Sequence, residues 1–171
     1  SVQHLSAYRQ AGYKVVALCD TDICSAQRVR QEFYPGASIY TDYRDVLRLE
    51  SVEVVDFATH PEMRLVMMED AIEAGKHILS QKPFVINLDA GHALLDKADA
   101  RGVKIAVNQN GRWAPHFSYM RNLTASGYIG DVAAVHMAVS WNHNWIKGTH
   151  FEQIHDLVLY DFGIHWFDMM A

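Results

Sequence analysis

The sequence predicts a doubly wound α/β fold, a parallel sheet covered by helices on both faces. Two patterns predict it: short apolar runs with strand character recur at 15–18, 52–57, 77–79 and 103–107, and the stretches between them carry helical spacing. Short, mostly apolar strands are those buried on both faces, and a crossover must carry the chain back between parallel neighbours. Ahead of the first run, Leu5 and Tyr8 share a face and Gly12 closes the segment, which reads as a helix. Behind Asp22, a good N-cap, Ala26, Val29 and Phe33 form a helical stripe, and Tyr43, Val46 and Leu47 form a shorter one behind Asp42. Leu65, Met68 and Ile72 mark the face of a helix that stops at Gly75, and Leu94, Leu95 and Ala98 one that stops at Gly102. Both glycines suit left-handed C-caps. The domain so defined ends near Val107 and is assigned residues 1–110.

After Asn110 the pattern changes, and residues 111–171 read as the opening of a second, α+β domain. Pro115 can start a helix that runs to about Gly127. Residues 131–141 then alternate, with Val135, Met137, Val139 and Trp141 on one face and Ala134, His136, Ala138 and Ser140 on the other, as in a strand with one buried side. A polar, aromatic loop follows, and a helical segment is expected from about Phe151 to the last residue.

The bulk numbers exclude some classes of function. Fifteen basic residues against 20 acidic ones give a net charge of −5, with no Lys/Arg stripe of the kind that phosphate backbones require. Nucleic acid is not an expected partner, nor is a membrane, because no apolar run approaches the ~20 residues of a spanning helix. The two cysteines, Cys19 and Cys24, do not suggest a disulfide framework, which fits a reducing cytoplasm. Ten histidines invite a metal reading, with His143, His150, His155 and His165 in the last part of the chain. No His-x-His or His-x-x-x-His pair presents two of them to one ion, and no metal is expected.

A dinucleotide-binding fold carries a glycine loop after its first strand and an acid ~20 residues later, at the end of the second, for the adenine ribose. Asp20 stands at such a strand end, although an acid there can also be an ordinary turn or N-cap residue beside Asp22. The order of elements favours ribose binding. Counting back from Asp20 runs off the sequence, so the first strand and its glycine loop are expected to lie outside it. The strands near 15–19 and 54–57 should then flank a vacant position and not pair with each other.

Several landmarks carry a family resemblance. Ala58-Thr59-His60-Pro61, Glu73-Ala74-Gly75-Lys76-His77-Ile78-Leu79, Gln81-Lys82-Pro83, Gly127-Tyr128-Ile129-Gly130-Asp131 and Asp161-x-x-x-His165 follow one another in order. From Val15 onward the chain resembles the Gfo/Idh/MocA oxidoreductases, named for glucose-fructose oxidoreductase and inositol dehydrogenase. Their motifs at these places are Ala-Thr-Pro-Asn, the same helix-to-strand join, Glu-Lys-Pro, Gly-x-Ile-Gly-Asp/Glu and Asp-x-x-x-His. Three departures stand out: Gln81 replaces the Glu, the Pro of the first motif is displaced by one, and Arg64 takes the place of a common His. The resemblance implies a Rossmann domain and a natural protein that extends beyond both ends of this sequence.

It also implies an NAD(P)-dependent dehydrogenase acting on a CH–OH group of a polyol, sugar or related compound, as a homo-oligomer. Cofactor contacts would come from Asp20, Thr21, Ala58, Thr59, His60, Gln81, Lys82, Asn108 and Arg112. An acid at Asp20 would repel a 2′-phosphate, so NAD is expected over NADP. Lys82, at a strand's carboxyl end, could steady the substrate oxygen. His165 would be the base, with Asp161 one helical turn away holding the imidazole. Without the resemblance, those two residues would read as an N-cap carboxylate and a core histidine. Trp141, His143 and Trp145 could line a sugar site, since rings cover C–H faces and polar groups bond hydroxyls, or could form a surface loop. Two alternatives share the same residues: an NAD-assisted glycoside hydrolase and a non-catalytic NAD(P)-binding sensor.

Overall fold

The computed structural model describes residues 2–171, apart from the side chain of His150. The chain forms two compact units, one ending at Val107 and one running from Asn108 to Ala171. The first alternates helices and strands in the order α1 (Val2–Gln10), β1 (Ala17–Cys19), α2 (Ile23–Phe33), β2 (Ser38–Tyr40), α3 (Tyr43–Leu47), β3 (Val54–Phe57), α4 (Pro61–Glu73), β4 (His77–Gln81), α5 (Leu88–Ala100) and β5 (Ile105–Asn108). The local signals act as the sequence suggests. Asp22 and Asp42 cap α2 and α3 by accepting from the amides of Cys24 and Arg44. Gly75 and Gly102 follow α4 and α5 with φ of +69° and +65°, a conformation that costs glycine no Cβ clash.

Strands β1 and β2 form one parallel pair, and β3, β4 and β5 form a second sheet in that order. Among the described residues no ladder joins β1 to β3, which agrees with the expected vacant position between them. The fold is a doubly wound sheet without its central first strand. Strand β2 was not anticipated, because Ser-Ile-Tyr has a single aliphatic residue and makes no apolar run. Strands β1, β3 and β5 also start two residues later than their apolar runs. Val52 and Val103 are buried ahead of the ladders, so burial begins before strand pairing does.

The core of this unit lies on one face of β3 and β4. Val55, Phe57 and Ile78 meet Met68, Ala71 and Ile72 of α4, the last three with 0% exposure, together with Leu94 and Ala98 of α5. Each large apolar side chain buried in this way contributes about 1.5–3 kcal/mol. On the opposite face, Tyr8 of α1 donates to Asp56 Oδ2 of β3 at 2.8 Å. Burial and then the Asp56 charge push the Tyr8 phenol well above its ordinary pKa.

The second unit contains a 3₁₀ turn (Asn110–Trp113), α6 (Pro115–Ala125), further 3₁₀ turns at Asn144–Ile146 and His150–Gln153, and a π-helical turn (Val158–Gly163) that runs into α7 (Ile164–Met170). Two expectations are corrected here. Residues 131–141 are not a strand: no ladder forms there among the described residues, and Val135, Val139 and Trp141 are exposed. Alternation creates a face, but a strand also needs a neighbour for its backbone groups. Nor is there one helix from Phe151 to the end, because Asp156 adopts φ +52° and the chain turns before the π-helical segment.

Replacing Ile72 by Ala should lower the unfolding free energy of the intact protein by about 2–5 kcal/mol, through lost transfer energy and the cavity left between α4 and the sheet. Denaturant unfolding measures it, and an unchanged midpoint would contradict this description of the core.

Candidate functional site

The parallel ladder of β3 and β4 pairs Val54 with His77 and Phe57 with Ser80. The same register carries Ala58 and Thr59 to the carboxyl edge where Gln81 ends β4 and Lys82 follows it. Ligands of doubly wound folds collect along this edge. Ala58 and Thr59 are exposed, and His60 is half-buried at the N-cap position of α4. At the end of β1, Asp20 is exposed with Thr21 beside it, and its Oδ1 accepts from the Asp22 amide at 2.9 Å. Asp42 and Asp45 lie nearby, ion-paired to Arg44 and Arg48. The Cys19 thiol is pushed up by burial and then by Asp42, Asp20 and Asp45.

Lys82 is half-buried and precedes Pro83 through a cis peptide bond. Two faces of the sheet hold its turn. From α1, His4 Nδ1 lies 2.6 Å from Asp56 Oδ2, and His4 Nε2 lies 2.7 Å from Gln81 Nε2. An Nδ1–H tautomer satisfies both contacts, donating to the carboxylate and accepting from the amide. From α4, the guanidinium of Arg64, 1% exposed, bonds the carbonyls of Gln81 and Lys82 and the Ser80 hydroxyl. Sequence reading missed His4 and Asp56 and noted Arg64 only as a departure. A signal existed, since Arg64 stands in line with Met68 and Ile72 at helical spacing, a charge inside an apolar stripe.

In the second unit, Asp161 belongs to the π-helical turn and His165 to the first turn of α7, so they do not share one regular α-helix as expected. The segment before α6 grips α7. Gln109 Nε2 donates to the Ile164 carbonyl at 3.1 Å, and Arg112 Nε donates to Asp168 Oδ2 at 2.8 Å while its Nη2 reaches the other carboxylate oxygen. Between these contacts Gly111 underlies His165, where a Cβ would come within 2.9 Å of Nδ1. Asn108 is half-buried at the end of β5. Of the three residues proposed to line a substrate, Trp141 and His143 gather on Phe162, with ring centroids 6.2 and 4.9 Å away, whereas Trp145 rests against Phe151. Among the described residues no group of three His, Cys, Asp or Glu side chains could hold a metal, and no helix is long and apolar enough to cross a membrane.

Parallel strands, capped crossover helices and an acid at the end of β1 define a dinucleotide-binding α/β domain. Residues 1–109 match the family described as "Oxidoreductase family, NAD-binding Rossmann fold", and the chain belongs to these Gfo/Idh/MocA oxidoreductases. It is 32% identical over 133 residues to the D-apiose dehydrogenase of Paraburkholderia graminis, covering 76% of this chain and 35% of that protein. It is 27% identical over 159 residues to the inositol 2-dehydrogenase of Gluconacetobacter diazotrophicus, covering 91% and 46%. The solved structure of an NAD-binding oxidoreductase from Klebsiella pneumoniae superposes with a TM-score of 0.67 at 29% identity, covering 75% of this chain and 36% of that one. The chain thus spans less than half the length of these relatives.

Gly111→Ala should push the His165 ring from its position. If that imidazole is the base, kcat of the intact protein should fall roughly 10- to 100-fold, as displacements of about 1 Å do. Steady-state kinetics with a parallel thermal melt measure it, and unchanged turnover would contradict the role of His165.

Proposed function

We propose that the intact protein is an NAD-dependent dehydrogenase that oxidises a secondary hydroxyl of a sugar, polyol or related compound. The observation that carries this reading is the Lys82 turn, hydrogen-bonded from both faces at the carboxyl edge of a Rossmann sheet. The donors along that edge suit the cofactor. The Asp20 carboxylate can accept from the adenine-ribose hydroxyls, and Thr21, Ala58, Thr59, His60 and Gln81 offer backbone and polar groups at the strand ends. Asn108 at the end of β5 fits this set, and the family resemblance adds Arg112, whose fork is engaged by Asp168. Bound NAD would supply the hydride acceptor.

The chain's own residues would do the remaining chemistry. Lys82 Nζ, as an ammonium, can donate to the substrate oxygen as it becomes a carbonyl oxygen. The family's Asp-x-x-x-His pattern supports His165 as the base that takes the hydroxyl proton, with Asp161 orienting the imidazole. Trp141 and His143, gathered on Phe162 next to Asp161, are candidates for holding the sugar. Both D-apiose dehydrogenase and inositol 2-dehydrogenase are named for polyhydroxylated compounds, which supports that substrate class here. The Asp20 carboxylate supports NAD, because a 2′-phosphate would meet like charge there, whereas Asp42 and Asp45 are ion-paired to Arg44 and Arg48.

The test is a screen of the intact protein with NAD against D-apiose, inositols and common sugars, following NADH absorbance. Turnover of at least one is expected, with NAD preferred over NADP. Lys82→Ala and His165→Ala should each slow it by ~10²–10⁴-fold. NADH binding without turnover across the panel would favour a sensor. Aryl release from glycosides with no net NADH would favour the NAD-assisted hydrolase.

A further inference from the structure

Arg64 is a buried cation where α4 would be expected to present an apolar side chain. Its neighbours one and two turns on, Met68 and Ile72, are both at 0% exposure and belong to the core. Burying a guanidinium is costly unless its donors are met. The acceptors it reaches lie on three consecutive residues: Ser80 Oγ at 3.3 Å, the Gln81 carbonyl, and the Lys82 carbonyl at 3.3 Å. The Ser80 hydroxyl also donates to the Gln81 carbonyl, at 3.2 Å.

We propose that Arg64 is a positioning residue for Lys82, its guanidinium holding the two carbonyls that flank the Lys82 Cα. The Gln81 carbonyl belongs to the peptide plane before that Cα, and the Lys82 carbonyl to the plane after it. Fixing both planes fixes φ and ψ of Lys82, and with them the direction in which its Cβ leaves the backbone. Arg suits this task because its planar fork offers two nitrogens in a fixed geometry. A lysine there would keep the charge but not the fork. A histidine carries its ring nitrogens on different edges and could not serve both carbonyls side by side. On the other face of the sheet, the Gln81 side chain bonds His4 while its Oε1 accepts from the Lys82 amide at 3.3 Å, so the turn is tied from both sides.

The inference rests on the reading of Lys82 as the donor to the substrate oxygen, and the experiment separates the two. Arg64→Lys and Arg64→His are made in the intact protein, alone and together with Lys82→Ala. Kinetics are measured on the alcohol turned over in the screen, with NADH titration and thermal melts as controls. A folded variant with nearly unchanged NADH affinity and KM for NAD should lose kcat roughly 10- to 100-fold, the cost of a small misplacement. In the Lys82→Ala background the same substitution should cost little more, because both changes act through one side chain. Full kcat in either folded variant would overturn the proposal. So would an equal further loss on top of Lys82→Ala, or loss of turnover only in parallel with NADH binding and the melting transition in both variants. If Lys82→Ala alone keeps normal turnover, the reading of Lys82 fails, and the inference with it. If Lys82→Ala is slow but Arg64 can be replaced freely, only the inference fails.

Discussion

The parallel pairing of β3 with β4 is the constraint on which the first unit depends. Its register, from Val54 opposite His77 to Phe57 opposite Ser80, sets the period-two division of side chains between the two faces. Val55, Phe57, Ile78 and Ser80 turn to the side covered by α4 and α5, whereas Asp56 and Gln81 turn to the side reached by α1. Every contact on the Lys82 turn follows from that division. Arg64 meets Ser80 and the carbonyls beyond it from one side, and His4 meets Asp56 and Gln81 from the other. A slip of one residue would exchange the faces, burying Asp56 in the core and turning Phe57 towards His4 and Tyr8.

Most of the fold was legible in the sequence because its signals are local or periodic. The aspartate caps of α2 and α3, the glycines after α4 and α5, and the apolar runs of β1, β3, β4 and β5 are all set by nearby residues. What escaped needed a partner distant in sequence. Strand β2 is defined by its pairing with β1, since Ser-Ile-Tyr makes no apolar run of its own. The alternation over residues 131–141 suggested a strand, but among the described residues nothing supplies the other half of a ladder.

The candidate site divides in the same way. Asp20 was singled out because it follows an apolar run, and Lys82 through the Gln81-Lys82-Pro83 resemblance at a strand's end. The His4–Asp56–Gln81 chain spans up to 77 positions in sequence, and no spacing rule reaches across it. Arg64 could have been suspected from its place in the α4 stripe, but its role needed the carbonyls it bonds. In the second unit, Gly111 is instructive in a different sense: glycine is needed there for space, because a Cβ would come within 2.9 Å of the His165 ring. Such a requirement is invisible until the ring's position is known.

Electrostatics at the carboxyl edge runs in two directions along the sheet. The β1 end carries the exposed Asp20, with Asp42 and Asp45 ion-paired to Arg44 and Arg48, whereas the β4 end leads into Lys82, whose carbonyl the buried Arg64 bonds. Carboxylates suit ribose hydroxyls and a cation suits an oxygen that gains negative charge, which is the division the proposed dehydrogenase reaction would need. A crystal structure of the intact protein with NADH bound tests this most directly. The account predicts the adenine-ribose diol hydrogen-bonded to the Asp20 carboxylate and the nicotinamide ring next to Lys82 Nζ. A cofactor bound away from Asp20, or a Lys82 side chain directed away from the nicotinamide, would contradict it.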